Sequence, residues 1–214
     1  MPDVSSNANS GVTIFAALEP DPALASLVAD YKRQTRALAG EQLYLGDPPH
    51  LTVYLAVFPS VAEVLAVWPK VKARHDDLRL KITGWHVFEA DALTGNNTLV
   101  CEIAGDDVVR LREYQREVVS LLAPLRDPTA TAARFAPRHA QLTDEQRTNI
   151  DQHGFPYLFD GWVPHLTIAS IRPAPWPAVW NALKSHSPRG AYRCSGWRLY
   201  QLVDGRPCAI DGGD

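Results

Sequence analysis

The apolar residues of this chain follow two different spacings, and the spacing changes several times along the sequence. Short runs of branched and aromatic residues, such as residues 51–58, predict strands, because these side chains are favoured in sheets. Longer segments with apolar residues every three or four positions, such as residues 106–122, predict amphipathic helices. The predicted strands are 12–18, 51–58, 78–88, 98–103, 163–171 and 192–203, and the predicted helices are 22–39, 60–74, 106–122, 143–154 and 175–185.

Residues 124–162 interrupt this rhythm with prolines and arginines, and we interpret them as an insertion or a lid-like segment. Long segments of this kind often carry function. Before and after the insertion, a strand is followed by a helix and a further strand. We therefore expect an α+β fold with two lobes related by an approximate two-fold axis and a cleft between them. We expect residues 12–203 to form this single bilobal domain, residues 1–11 a flexible tail, and residues 204–214 a C-terminal tail.

Two of the predicted strands contain nearly the same five residues. Residues 49–53 read Pro-His-Leu-Thr-Val, and residues 164–168 read Pro-His-Leu-Thr-Ile. In a strand, residues two positions apart point to the same face. Each copy therefore presents one imidazole and one hydroxyl side by side, while the leucine between them points into a core. The four side chains are His50, Thr52, His165 and Thr167.

Two such pairs on facing surfaces suit the chemistry of a phosphate ester. A histidine near its unperturbed pKa of about 6.5 can act as base or acid near neutral pH. Each positioned acid or base contributes roughly 10²–10⁴-fold in rate. Threonine hydroxyls can donate to the non-bridging phosphate oxygens. The pattern leaves open which of His50 and His165 is the base, and whether the reaction runs as hydrolysis or as ligation.

Tyr54 follows His50 by four positions, so strict strand alternation places both side chains and that of Thr52 on one face. We expect Tyr54 to line the cleft and to stack on the ligand or hydrogen-bond to it. Ala169 is the matching residue after His165, and it leaves more room. This difference predicts that a base or sugar binds nearer to the first motif.

Composition and charge limit the class of function. A formal net charge of −3 does not supply the basic surface that long duplex nucleic acid requires, although a small anionic ligand or an RNA end can still bind. No apolar run approaches the length of a membrane span. The three cysteines are widely spaced and match no metal-binding pattern, which fits a cytoplasmic protein.

The paired His-x-Thr motifs resemble those of the two-histidine phosphoesterase superfamily, which includes 2′-5′ RNA ligase-like proteins and 2′,3′-cyclic nucleotide phosphodiesterases. The resemblance extends over roughly residues 12–203 in element order and is sharp at the two motifs. It implies two antiparallel sheets that flank a central cleft, with helices outside, and no metal or other cofactor. It also implies that His50 and His165 act as acid and base and that Thr52 and Thr167 bind the phosphate.

The leading hypothesis is a metal-independent phosphodiesterase that acts on a 2′,3′-cyclic phosphate, a related cyclic phosphate or a 2′-5′ linkage. The expected partner is a small nucleotide, a cyclic phosphate or an RNA terminus, and the expected state is a monomer. Two alternatives stay open. One is a non-catalytic module that binds RNA ends or nucleotides on the same fold. The other is a structural α/β domain with fortuitous motifs, which predicts that His50 and His165 lie far apart.

Other polar and aromatic residues admit both a functional and a structural interpretation. Arginines of the insertion could clamp phosphate or face solvent, and its aromatic residues could stack on a base or pack the insertion down. The histidines outside the motifs are interpreted as surface or structural residues. The arginines are Arg126, Arg134 and Arg138, the aromatic residues are Phe155, Tyr157 and Trp162, and the histidines are His75, His86, His139, His153 and His186.

Overall fold

The computed structural model describes residues 11–73, 78–105 and 107–211. The predicted N-terminal tail, apart from Gly11, lies outside these ranges, as does His75. The elements follow the predicted order, with an additional helix in the insertion and an additional strand after residue 203. The strands are β1 (Val12–Pro20), β2 (Leu51–Phe58), β3 (Arg79–Phe88), β4 (Asn97–Ile103), β5 (His165–Ile171), β6 (Gly190–Val203) and β7 (Arg206–Ala209), and the helices are α1 (Pro22–Ala39), α2 (Val61–Lys72), α3 (Asp107–Leu122), α4 (Pro128–Phe135), α5 (Asp144–His153) and α6 (Trp176–Leu183).

One long strand joins the two halves of the fold. β6 contains 14 residues, of which residues 190–193 pair with β3 and residues 194–201 pair with β1. The strand pairs are antiparallel, and the strand order is β2-β1-β6-β3-β4-β5, with β7 beside β6. The predicted α+β fold is confirmed. The two expected sheets, however, are continuous through β6 and form one seven-stranded sheet.

The sheet curves so strongly that its two ends meet. β2 and β5 stand at opposite ends of the strand order, yet Cα atoms of the two strands approach within 8 Å. α1 packs against β5 and α6, and α3 packs against β2 and α2, so each helix covers the end strand of the other half. The outer face and these helices enclose the main apolar core. The concave inner face carries a small cluster of Phe15, Ala17 and Tyr200.

The described part of the C-terminal segment corrects the expectation of a tail from residue 204. Asp204 and Gly205 have positive φ angles of 50° and 74° and turn the chain back, as in a two-residue hairpin. β7 then pairs with β6, and Ala209 lies opposite Tyr200. An Asp-Gly pair is a strong hairpin signal. A strand of only four residues, however, is too short to be recognised by its hydrophobic periodicity.

Two segments cross from one half of the molecule to the other and lead into the motif strands. The first crossing segment, residues 40–49, connects α1 to β2, and the second, residues 123–164, connects α3 to β5. Each is held by a buried polar side chain of the preceding helix. Lys32 of α1 is 5% exposed, and its Nζ donates to the carbonyls of Tyr44 (2.5 Å) and Asp47 (2.8 Å).

Gln115 of α3 holds the second crossing segment in the same way. It is 0% exposed, and its Nε2 donates to the carbonyls of Val53 (3.0 Å) and Tyr157 (3.2 Å). Its Oε1 accepts from the N–H of Phe159 at 2.7 Å. The φ angles of Phe159 (56°) and Tyr44 (70°) lie in the left-handed region, which residues other than glycine rarely adopt. The buried hydrogen bonds therefore stabilise backbone conformations that local preference disfavours.

Replacing Gln115 by leucine tests this role. Leucine occupies a similar volume but leaves the carbonyls of Val53 and Tyr157 and the N–H of Phe159 without this partner, and each unsatisfied buried group costs about 1–3 kcal/mol. We expect the free energy of unfolding in urea to fall by about 2 kcal/mol or more. The control Gln152→Leu, at an exposed position of α5, should change it by less than about 0.5 kcal/mol. Equal losses in both variants would contradict this role.

Candidate active site

The two His-Thr pairs lie at the beginnings of the two end strands that meet. His165 is the first residue of β5, and His50 directly precedes β2. The leucine between each histidine and threonine is buried in the main core, so the flanking side chains point to the concave face. His50, Thr52, His165 and Thr167 are all half-buried. The structure thus places all four predicted motif side chains on this face.

The two motif histidines make equivalent hydrogen bonds to the backbone. Nδ1 of His50 lies 2.7 Å from the carbonyl oxygen of Pro48, and Nδ1 of His165 lies 2.7 Å from the carbonyl oxygen of Val163. A carbonyl oxygen can only accept, so we assign the proton of the neutral ring to Nδ1. Nε2 then keeps a free lone pair. Each ring therefore offers Nε2 as the nitrogen that can take up or release a proton.

Aromatic rings pack against both imidazoles. The ring centroids of Phe15 and Tyr200 lie 5.0 Å and 5.7 Å from that of His50, and the ring of Phe88 lies 5.1 Å from that of His165. Phe15 and Tyr200 also stack on each other, with centroids 5.0 Å apart. These contacts restrict the orientation of the imidazoles and remove part of their surface from water, which disfavours the charged form.

The imidazolium form of His50 is strongly disfavoured. Burial lowers the pKa of His50 to about 4, and the positive charges of Lys32 and His165 act in the same direction. The hydrogen bond to the Pro48 carbonyl and the carboxylate of Glu19 oppose this shift without reversing it. The strands that follow the two motif histidines approach within 8 Å between Cα atoms, and the charge of His165 acts on His50, so the two imidazoles lie near each other. This proximity argues against the hypothesis of fortuitous motifs.

The charged neighbours of the second imidazole are different. Burial lowers the pKa of His165, and the charge of His86 acts in the same direction. The hydrogen bond to the Val163 carbonyl and the carboxylate of Asp91 oppose this shift. Each imidazole thus has one carboxylate that favours its protonated form, whereas the ammonium of Lys32 acts on His50 and not on His165.

A β-bulge follows the first motif and reverses the alternation of side chains along β2. Thr52 lies opposite Ala17 of β1, but Tyr54 lies opposite Ala16, so Val53 is an extra residue without a partner in the register. An extra residue in one strand turns the following side chains to the other face of the sheet. The alternation assumed from the sequence therefore holds only as far as Val53.

Tyr54 consequently faces the core, which corrects the expectation that it lines the cleft. Its side chain is 0% exposed, its hydroxyl donates to the carbonyl of His153 at 2.5 Å, and its ring contacts Phe155 edge-on. The same irregularity follows Thr167 in β5 and turns Ala169 toward the core. The difference between Tyr54 and Ala169 thus concerns core packing and not the binding of a ligand.

A hydrogen-bonded charged group beside His50 was not anticipated from the motifs. The carboxylate of Glu19 accepts from Nη2 of Arg198 at 3.0 Å and from the hydroxyl of Tyr200 at 2.9 Å. Arg198 also lies 3.6 Å from a carboxylate oxygen of Asp211. Alternation within β1 could have placed Glu19 on the polar face, but its partners come from β6, whose position beside β1 the sequence does not reveal.

His86 also lies on the concave face, which corrects its interpretation as a surface or structural residue. His86 lies opposite Val100 of β4, and Val100 lies opposite Thr167 of β5. Because directly opposed residues share one face of a sheet, His86 lies on the same face as Thr167. Its ring lies 4.5 Å from that of Phe88, the ring that packs against His165. In the sequence, only the two-residue spacing between His86 and Phe88 indicated that these side chains share one face of β3.

The insertion supplies packing and hydrogen bonds around the site. Phe155 and Trp162 are buried, so they pack the insertion against the core. Arg126 donates to two carbonyls of the second crossing segment, and Arg138 donates to a carbonyl of the β3–β4 turn at 3.0 Å. Arg134 reaches a hydroxyl at the beginning of β1, at 3.4 Å. These contacts favour the structural interpretation of the three arginines.

Two features are absent from the described residues, 11–73, 78–105 and 107–211. No helix in these ranges has both the length and the apolar character needed to cross a membrane. In the same ranges, no three side chains of His, Cys, Asp or Glu are grouped so as to hold a metal ion.

Several solved structures have a similar fold. E. coli LigT, in complexes with NADP+ and with 3′-AMP, is 14% identical, with 94% of each chain covered and TM-scores of 0.49 and 0.46. Kluyveromyces marxianus Usb1 is 10% identical, with 94% of this chain and 98% of that chain covered and a TM-score of 0.51. At these identities the similarity concerns the fold alone. No curated protein matches the sequence.

The antiparallel sheet with paired His-x-Thr motifs on its end strands is the arrangement of a two-histidine phosphoesterase. A model of the 2′-5′ RNA ligase superfamily matches residues 19–206, which is most of the chain. The protein belongs to the 2′-5′ RNA ligase superfamily. The resemblance inferred from the motifs is thereby confirmed.

The structural role of Tyr54 can be tested by replacement with phenylalanine, which retains the ring and removes the hydrogen bond to His153. We expect the free energy of unfolding to fall by about 1 kcal/mol in urea titrations. The control Tyr31→Phe removes a similar but exposed bond to the carbonyl of His186 and should cost less. An unchanged stability in Tyr54→Phe, or equal losses in both variants, would contradict this structural role.

His50 makes the stability of the protein depend on pH. Its pKa is about 4 in the folded state and 6.5 for the free side chain, so between these values the unfolded chain binds more protons. Stability is therefore fully present above pH 6.5 and falls by about 3 kcal/mol as the pH approaches 4. His165 contributes in the same direction.

Urea titrations at several pH values measure this dependence. The variant His50→Asn should lose much of the slope between pH 6.5 and 4, because asparagine does not titrate. The variant His139→Asn, at an exposed position, should retain the slope. An unchanged slope in His50→Asn would show that His50 is not the titrating group.

Proposed function

We propose that the protein is a phosphodiesterase that opens a 2′,3′-cyclic phosphate or a related cyclic phosphate, or cleaves a 2′-5′ linkage. His50 and His165 exchange protons with the substrate, and Thr52 and Thr167 bind its phosphate. The observation that carries the proposal is the identical support of both histidines, in which each Nδ1 lies 2.7 Å from a backbone carbonyl and each Nε2 is left for chemistry. Membership of the 2′-5′ RNA ligase superfamily supports it.

Hydrolysis of a cyclic phosphate requires two proton transfers. One imidazole accepts a proton from water through Nε2 as the water oxygen forms its bond to phosphorus. The other imidazole, protonated at Nε2, donates that proton to the ribose oxygen whose bond to phosphorus breaks. Two imidazoles on opposite sides of the phosphorus suit this in-line displacement. The same steps in reverse join a hydroxyl to a cyclic phosphate, so the arrangement serves hydrolysis and ligation alike.

The two threonines supply the remaining requirement, which is stabilisation of the phosphoryl oxygens. Thr52 and Thr167 share the concave face with the histidines and are half-buried. Their hydroxyls can donate to the non-bridging oxygens, whose interaction with donors matters most in the transition state. Partial burial strengthens such hydrogen bonds. Because imidazoles perform the proton transfers and hydroxyls hold the phosphate, this mechanism assigns no step to a metal ion.

We further propose that the substrate is a small nucleotide, a cyclic phosphate or an RNA terminus rather than a long duplex. A formal net charge of −3 supports a locally held anion and not an extended phosphate backbone. We place the protein in the cytoplasm because its three cysteines are free thiols and two of them, Cys101 and Cys194, are buried, as is typical of a reducing compartment.

The decisive assay is hydrolysis of 2′,3′-cyclic nucleotides in the presence of EDTA. We expect turnover to persist in EDTA and to fall by about 10²–10⁴-fold in His50→Ala and in His165→Ala. The double variant should be inactive, because both proton transfers are lost. The control His139→Ala, at an exposed position, should keep wild-type turnover.

Full activity in the double variant, or a strict requirement for a metal ion, would overturn the proposal. Tight binding of nucleotides without turnover over a broad panel of substrates would instead favour the non-catalytic binding module. The panel should include 2′,3′-cyclic mononucleotides, RNA ending in a cyclic phosphate, and 2′-5′-linked dinucleotides.

A further inference from the structure

The two crossing segments are held by chemically different side chains. Lys32 places an ammonium behind the segment that leads to His50, whereas Gln115 places a neutral amide behind the segment that leads to His165. Both side chains are buried and both bond to backbone groups of their segment. At these two matching positions, the approximate symmetry of the molecule is broken by one positive charge.

The ammonium is directly connected to the backbone that orients the first imidazole. Nζ of Lys32 donates to the carbonyls of Tyr44 at 2.5 Å and Asp47 at 2.8 Å. The next residue, Pro48, supplies the carbonyl that holds Nδ1 of His50. Lys32 therefore both fixes the position of this ring and places a charge within electrostatic reach of it.

The other charged groups that face His50 do not cancel this effect. They are His165 on β5, which is cationic when protonated, and Glu19 on β1. Both carboxylate oxygens of Glu19 already accept hydrogen bonds from side chains of β6, one of them a guanidinium. The charge of Glu19 is thus largely compensated. The carboxylate of Asp47 faces Lys32 and opposes its charge, yet Lys32 still acts on His50 as a positive charge.

The charged groups that face His165 act in opposite directions. They are His86 on β3 and Asp91 in the β3–β4 turn. The oxygens of Asp91 accept from the hydroxyl of Thr98 at 2.7 Å and from the backbone N–H of Leu93 at 2.9 Å, which stabilises the carboxylate form. A carboxylate within electrostatic reach favours a proton on His165.

We propose that Lys32 makes the two motif histidines unequal, so that His50 acts as the general base and His165 as the general acid. This assignment rests on the proposed phosphodiesterase function. In hydrolysis, Nε2 of His50 takes the proton of the water whose oxygen bonds to phosphorus, and Nε2 of His165 gives its proton to the departing ribose oxygen. Lys32 is a positioning residue, because it acts through His50.

A titration of the ligand-free, full-length protein tests the inequality directly. Histidine ring signals in nuclear magnetic resonance spectra give the two midpoints, and we expect His50 to titrate below His165. In Lys32→Gln, which copies the amide of the second half, the midpoint of His50 should rise by about one pH unit. The midpoint of His165 should stay in place. The control Lys184→Gln, at an exposed position after α6, should move neither midpoint.

Kinetics separate an electrostatic role from a merely structural one. With a 2′,3′-cyclic nucleotide as substrate, kcat/KM is measured as a function of pH. The acid limb of this profile should move to higher pH in Lys32→Gln, by the same amount as the His50 midpoint. Lys32→Arg retains the charge and should retain the position of the limb. A purely structural role would lower activity at all pH values without moving the limb.

The proposal is overturned if His165 titrates below His50 in the wild-type protein, or if Lys32→Gln leaves the titration of His50 unchanged. Should Lys32→Gln fail to fold, the order of the two wild-type midpoints still decides. The titrations need no turnover. A failure of the phosphodiesterase assay would therefore contradict the proposed function and would be distinct from a failure of the electrostatic inequality.

Discussion

Each motif histidine donates from Nδ1 to the carbonyl two residues earlier, and the proposed chemistry depends on this hydrogen bond. It sets which nitrogen is free, and it makes the orientation of the ring follow the backbone of the crossing segment. That backbone is held in turn by Lys32 in the first half and by Gln115 in the second. Because Tyr44 and Phe159 have unfavourable φ angles, buried tertiary hydrogen bonds rather than local preference maintain these segments.

The curvature of the sheet brings the supported rings together. β6 belongs to both halves, so the end strands β2 and β5 become two sides of one concave surface. Exposed strand edges tend to pair with other chains, and here the crossing segments cover them. The N–H of Ser170 in β5 donates to the carbonyl of Leu43, and the N–H of Asp127 donates to the carbonyl of Val57 in β2. The segments that position the histidines therefore also protect the sheet.

Strand alternation predicted the motif side chains correctly and failed where the strands are irregular. His50 and Thr52 precede the bulge, so their shared face could be inferred from sequence spacing alone. Tyr54 follows it, and the bulge exists only because Val53 has no partner in the register with β1. His86 escaped prediction for a related reason. A histidine on a strand becomes part of a site only through its neighbours across the sheet, and those neighbours come from distant parts of the chain.

Periodicity and the repeated Pro-His-Leu-Thr were sufficient to establish the elements other than α4 and β7, the α+β class and the chemistry that two His-Thr pairs can perform. These patterns involve residues that are close together in the sequence, so they can be recognised without knowledge of the fold. The remaining features of the site depend on the tertiary structure. Strand order and register determine that His50 and His165 share the concave face, that Tyr54 faces the core, and that the ammonium of Lys32 acts on His50 and not on His165. These are contacts between residues far apart in sequence, and local pattern carries no information about them.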